Sequence, residues 1–168
     1  MFYVPKFNII QYPDPRLAVP GKAVPAVNDE IRAVVDDMFE TLYAQDNCAA
    51  LAATQLDMPT PWRITVIDFS ESKDQPLCLI NPEVVSGSGE TNSQEGCMSI
   101  KDVYVNVPRY ETVEVHALGL DGEKRVFKED GFMAKCMQHE IDHLNGKLML
   151  DHLGKTKRRI INRKFRRS

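Results

Sequence analysis

Apolar residues change their spacing several times along the chain, and each change marks an element. Ile31, Val34, Val35, Met38 and Leu42 recur at three- and four-residue intervals, which predicts a helix with one buried face. Asn28 is a cap residue ahead of it, and Asp29 and Glu30 suit the positive end of its dipole; the helix should end before Asp46-Asn47. The segment Cys48–Gln55 (CAALAATQ) is small and apolar, as expected where backbones approach closely. From Trp62 to Phe69 (WRITVIDF) β-branched residues alternate, predicting a strand; Trp62 itself reads as core or rim packing. Leu77–Ile80 predicts a second strand, stopped by Asn81-Pro82. Residues 84–99, rich in Gly and Ser, read as a loop or bent ribbon, and Val103–Val107 as a short strand. Thr112–Leu118 alternates again and joins Arg125–Phe127 through an Asp121-Gly122 turn, a hairpin. A second helix should run from the cap Asp130 to the stop Asn145-Gly146, and a third, basic on most sides, from about Leu153. Prolines 13, 15, 20 and 25 set an irregular lead-in before the first helix. Helices flanking mid-chain strands predict an α+β fold, mainly antiparallel, around the second helix.

At 168 residues and 43% hydrophobic the chain can build one sizeable core. No apolar run approaches the roughly 18 residues of a membrane span, and the start MFYVPKFNII is too short and interrupted for a signal peptide. We therefore expect a cytoplasmic protein without a membrane partner. The net charge of −3 hides a division. Residues 154–168 hold eight Lys and Arg and no acid, whereas residues 1–153 hold 13 basic and 24 acidic residues and carry −11. An acidic body excludes a general nucleic-acid binder and specific DNA recognition, while the tail could still grip a polyanion. Cys48, Cys78, Cys97 and Cys136 form no CxxC pair, so free thiols are expected rather than a disulfide framework.

The second helix contains His139-Glu140-Ile141-Asp142-His143, an HExxH motif. Residues four apart stack on one helix face, so both imidazoles reach one metal ion and Glu140 stands beside its open position. With four His and eleven Glu in the chain, chance would supply such a pattern in about 0.6% of sequences of this composition. Phe132, Cys136, His139 and His143 share a stripe, so the ligands face inward. A third ligand is needed. Gly146 falls in register with HExxHxxGxxH, but the final position is Met149, a poor ligand for a hard site. Asp151 and His152 remain downstream; His116 and the cysteines other than Cys136 remain upstream. Cys97, in Glu95-Gly96-Cys97-Met98-Ser99, stands out because the glycine permits close approach, while Cys78 reads as core and His116 as a structural histidine. Spacing alone does not decide between Cys97 and its rivals. Asp142 reads as a hydrogen-bond acceptor behind the ligands or a solvated helix residue.

CAALAATQ (48–55), EGCMS (95–99) and QHEIDH (138–143), in this order, resemble the motifs GxGxAAxQ, EGCxS and HExxH of bacterial peptide deformylases. The Tyr12-Pro13-Asp14-Pro15 lead-in and the helix before the first motif are also similar, so the resemblance spans essentially the whole chain. It implies an α+β metallohydrolase that removes the formyl group from N-terminal formylmethionine of new polypeptides, releasing formate. By position it implies metal ligands Cys97, His139 and His143, with water as the fourth, and a catalytic Glu140. It further implies an oxyanion held by Gln55 and the backbone N–H of Met98. The implied ion is one divalent metal, natively Fe2+, with Zn2+, Ni2+ or Co2+ able to occupy the site. Ala50, Phe132, Met133 and Cys136 are candidates to line the substrate pocket.

Both glycines of the first motif are replaced, by Cys48 and Ala50, which should narrow the approach to substrate or restrict the dihedrals and so lower or shift activity. After Ile100 the chain reads Lys101-Asp102-Val103-Tyr104, where many relatives have Pro and, three residues later, Arg. Two other readings compete: an HExxH peptidase or amidase with His152 as third ligand, and a non-catalytic ribosome-associated homologue. The expected organisation is a catalytic body, 1–153, and a basic helical extension, 154–168. Relatives with such an extension imply ribosome docking, here through Lys155, Lys157, Arg158, Arg159, Arg163, Lys164, Arg166 and Arg167, with Ile160, Ile161 and Phe165 forming a narrow apolar side.

Overall fold

The computed structural model describes residues 2–166. Helix α1 (Asp29–Tyr43) begins where its cap is written: Asn28 Oδ1 accepts the Ile31 N–H at 3.0 Å. Five antiparallel strands follow in a meander: β1 (Ala50–Ala52), β2 (Ile64–Ile67), β3 (Leu77–Cys97), β4 (Ile100–Leu118) and β5 (Lys124–Asp130). Helix α2 (Gly131–Leu144) leaves β5 without a loop, Gly131 adopting φ +56° to turn from strand to helix. Asp130 holds the cap position, though its side chain makes no capping bond. Helix α3 (Lys155–Arg166) closes the described chain. The fold is α+β and antiparallel, as the patterning predicts.

Strand β2 shows why α1 and α2 come together around the sheet. All four of its residues are buried; Ile64 and Val66 pack with the α1 face of Ile31, Val35 and Met38, while Ile67 packs with Met137 and Ile141 of α2. Successive side chains point to opposite faces, so one short strand serves two cores. A third core joins Ile10, Leu17, Ile100 and Val107 to Leu148, Met149 and Leu150. Ile161 and Phe165 of α3 pack against it, with Phe165 edge-on to Tyr12 at 5.1 Å, and Tyr12 Oη bonded to Asn162 Oδ1.

The middle of the chain departs from the short strands expected. Asn81-Pro82 does not end β3; it makes a register shift between Ile80 and Glu83, and the strand continues to Cys97. The irregularity is pinned by Asn81, whose amide accepts from Val24 N and donates to Val24 O, both at 2.9 Å, and Pro82 has no N–H to lose there. The Gly- and Ser-rich stretch is strand as well. A Cβ on Gly87 would stand 2.4 Å from the Tyr110 ring, and one on Gly96 would stand 2.8 Å from Tyr104. Both glycines are seats for aromatic rings of β4, not turn residues. Only Ile64–Ile67 of the Trp62–Phe69 segment is strand, and Trp62 packs at the edge of the first core with Lys22 Nζ over its ring at 5.4 Å.

Candidate metal centre

Three segments deliver the donors. Cys97 ends β3 at the tight turn into β4, and His139 and His143 lie one turn apart on α2. Cys97 Sγ is 3.3 Å from His143 Nε2, which is 3.1 Å from His139 Nε2, and the three atoms lie within 4.8 Å of one another. Metal bonds of about 2.0–2.1 Å to imidazole and about 2.3 Å to thiolate give tetrahedral edges of about 3.3 Å between nitrogens and about 3.6 Å between nitrogen and sulfur. The observed spacings match such a set. Among the described residues, the two buried side-chain polar atoms without a hydrogen-bond partner are Glu140 Oε1 and His143 Nδ1, both in this motif. An acceptor left bare beside three converging donors suits a site completed by an ion and its water.

The lead-in, a set of irregular turns in the sequence, is the clamp that holds these segments. Ile10 N–H donates to Gln55 O and Tyr12 N–H to Ser99 O, each at 2.7 Å, and Gln11 Nε2 donates to Met98 O at 3.0 Å. The first and second motifs are thus stapled side by side. Gln55 Oε1 accepts from Ala52 N–H at 2.9 Å, which turns its amide nitrogen toward Cys97 Sγ (3.4 Å) and Ser99 Oγ (3.1 Å). Thr54 Oγ1 donates to His143 O at 3.0 Å, tying the first motif to α2. Gly146, with φ +77°, ends α2 under the Ala18 carbonyl, where a Cβ would come within 2.6 Å. That contact accounts for a glycine at this register without a third downstream ligand.

Behind the histidines lies a charged group that the motifs do not announce. Arg109 is 6% exposed and grips Glu95 through Nε (2.8 Å) and Nη2 (2.7 Å), and Asp142 through Nη1 (2.6 Å). Glu95 Oε1 lies 2.8 Å from His139 Nδ1, so it accepts a hydrogen bond from Nδ1–H in the tautomer that leaves the Nε2 lone pair facing the other two donors. Burial alone would raise the Glu95 carboxyl, but the Arg109 fork and His139 overcome it and hold it at about 2. Glu140 has no such partner: burial pushes its carboxyl up to about 7, within reach of a proton-transfer role near neutrality. His143 is held below its ordinary range by burial and the neighbouring His139, in the neutral form a ligand requires.

The remaining candidates divide. A cleft of about 520 Å³ runs past the donors and is lined by Cys48, Ala50, Gln55, Met98, Tyr104, Phe132, Cys136, His139 and Glu140. Met133 is elsewhere, packed against the Ile67–Val115 core. Cys48 and Ala50 have ordinary backbone angles, so replacing glycine there restricts no dihedral; what remains of that expectation is the bulk they add to the cleft wall. Cys48, Cys78 and Cys136 are free thiols pushed up by burial, the first two to about 12, and are poor ligands beside Cys97. His152 Nε2 is 2.8 Å from Asp142 Oδ2, on the far side of Arg109, so it does not complete the donor set. His116 pairs with Glu114 Oε2 at 2.9 Å. Asp142 is the acceptor for both Arg109 and His152. Seven basic residues of α3, Lys155 through Arg166, are exposed, and Arg158 reaches Asp151 at 3.2 Å; Arg167 lies outside the described residues.

Known proteins resemble this chain in sequence and fold. The profile of the polypeptide deformylase family matches residues 6–159. Peptide deformylase 1 of Coxiella burnetii is 52% identical over 160 residues, covering 95% of this chain and 94% of that protein. Among solved structures, a peptide deformylase from Legionella pneumophila is 38% identical with a TM-score of 0.86, covering 95% of each chain. One from Synechococcus elongatus, in complex with actinonin, is 34% identical with a TM-score of 0.85, covering 96% of this chain and 86% of that one. No helix among the described residues is long and apolar enough to cross a membrane.

Proposed function

The chain belongs to the polypeptide deformylase family and is a metallohydrolase that removes the N-formyl group from nascent peptides; from that premise we infer how its own residues divide the work. Cys97 Sγ, His139 Nε2 and His143 Nε2 would hold one divalent ion, and their convergence beside Glu140 carries the reading. When bound, the ion supplies Lewis-acid polarisation of the formyl oxygen and a water made acidic near neutral pH. Glu140 Oε1, buried and unpartnered, accepts the proton of the attacking water and returns it to the departing amine as the formyl C–N bond breaks. The Gln55 amide, aimed by Ala52 N–H, and the Met98 backbone N–H stabilise the charge developing on the formyl oxygen. Glu95 and Arg109 position His139.

Iron(II) is the resident ion in this reading, with zinc, nickel and cobalt able to replace it; one thiolate and two imidazoles suit all four. Cys136 and Ala50 line the part of the cleft that takes the methionine side chain, and Phe132 stands at its outer edge. The cytoplasm, where formylated chains are made, is the matching compartment. The exposed basic face of α3 is the ribosome contact, acting on RNA phosphates through counterion release, so residues 154–168 extend a catalytic body of residues 1–153. Anaerobic reconstitution with Fe2+ or Ni2+ tests the site. Wild type should bind one ion per chain and release formate from formyl-Met peptides, and Cys97→Ala should lose the ion. Retention of the ion by Cys97→Ala would overturn the ligand set.

A further inference from the structure

Two large exposed aromatic residues meet at the mouth of the cleft. Phe132, in the first turn of α2, lines the cleft and is 57% exposed. Phe69, two residues beyond β2, is 48% exposed and stands edge-on to it, with ring centroids 4.8 Å apart and planes at 90°. Neither ring belongs to any of the three cores. Phe69 is nonetheless presented by a fixed loop. The preceding Asp68 accepts from Ser70 N–H and Oγ–H (3.0 and 2.5 Å), from Tyr43 Oη–H (2.6 Å) and from Gln75 N–H (3.2 Å), which closes residues 68–75 beneath the ring. A rigidly held pair of apolar rings left in water beside a binding cleft is surface kept for a ligand.

The pair's place along the cleft identifies what it would hold. Phe132 precedes His139 by seven helical residues, about 10 Å along α2, and an extended peptide advances about 3.3–3.6 Å per residue. With the formyl carbon at the histidines, a chain following the cleft passes the rings two or three residues later. Resting on the deformylase reading, we propose that Phe69, stacked on Phe132, is a specificity-determining residue whose ring receives an apolar side chain downstream of the formylmethionine. Formyl peptides with leucine or phenylalanine at the second and third residues are therefore favoured over peptides with serine there.

The test compares kcat/KM for formyl-Met-Leu-Phe and formyl-Met-Ser-Ser in wild type, Phe69→Ala and Phe69→Tyr, all metal-loaded. Wild type should favour the apolar peptide, Phe69→Ala should reduce that ratio about tenfold through KM, and Phe69→Tyr, which keeps the ring, should retain it. An unchanged ratio in Phe69→Ala, or loss of the ratio in Phe69→Tyr as well, would overturn the subsite. Absence of formate from both peptides with wild type would instead overturn the deformylase reading and the subsite with it.

Discussion

Arg109 stands on β4 in phase with Val107, Val113 and Val115, all pointing inward, and it is there because Glu95 and Asp142 need it. Two carboxylates and one histidine are organised by one guanidinium whose fork matches their geometry. Arg109→Ala would leave buried carboxylates unpaired and should destabilise the metal-free protein by about 3–5 kcal/mol in urea unfolding. It should also weaken metal binding about 10–100-fold in a chelator competition, because His139 loses its orienting partner. Normal affinity in a folded Arg109→Ala protein would contradict that positioning role. The helical spacing of HExxH brings His139, His143 and Glu140 forward as candidates in the sequence, whereas Cys97 is singled out from its rivals only through the resemblance of EGCMS to a family motif. Arg109 has no local signature as part of the site, because its partners are 14 and 33 residues away. The available signal was an arginine on the apolar phase of an alternating strand. Cys48 and Ala50 pose a different question at this scale. With no backbone strain to relieve, only bulk is at issue, so Ala50→Gly should raise kcat/KM for formyl-Met peptides, and no gain would show that this wall does not limit turnover.

Helices α1 and α2 could be read nearly to the residue, because a cap, an apolar stripe and a stop signal each reported the same element. The two long strands could not. Gly87, Gly96 and Pro82 carry turn propensity in isolation, and only the rings of Tyr110 and Tyr104 across the ladder, and Asn81 bonded to Val24, make strand the better state. These are long-range contacts to which local spacing is blind. The loop after β2 offers a prediction with a defined sign. Burial would raise the Asp68 carboxyl, but Ser70, Tyr43 and Gln75 donate to it and hold it below its ordinary value. A carboxyl lowered on folding adds stability that is fully present above about pH 4 and fades as pH falls through its folded value. Metal-free wild type should therefore lose urea resistance as pH falls from about 4 toward 3. Asp68→Asn should start lower and lose less over that interval; parallel losses would show that the loop does not depend on this charge.

Across the whole molecule, the even-looking net charge of −3 separates into an acidic body and a basic helix whose apolar edge is seated on it. Ile161 and Phe165 fix α3 against the third core, so its cations are displayed from a defined surface rather than from a loose tail. Replacing Lys155, Lys157, Arg159, Arg163 and Lys164 with Gln leaves that packing intact. The variant should lose salt-dependent ribosome binding in a sedimentation assay while turning over short formyl peptides like wild type, and unchanged binding would remove the ribosome from the account. The central claim is that three donors hold the ion while Glu140 moves the proton. Measuring metal content and formate release together on Glu140→Gln tests it most directly. Glu140→Gln should hold one ion per chain, as wild type does, with kcat lower by about 10²–10⁴-fold; a variant that keeps its ion and still releases formate at the wild-type rate would contradict the proton-transfer role.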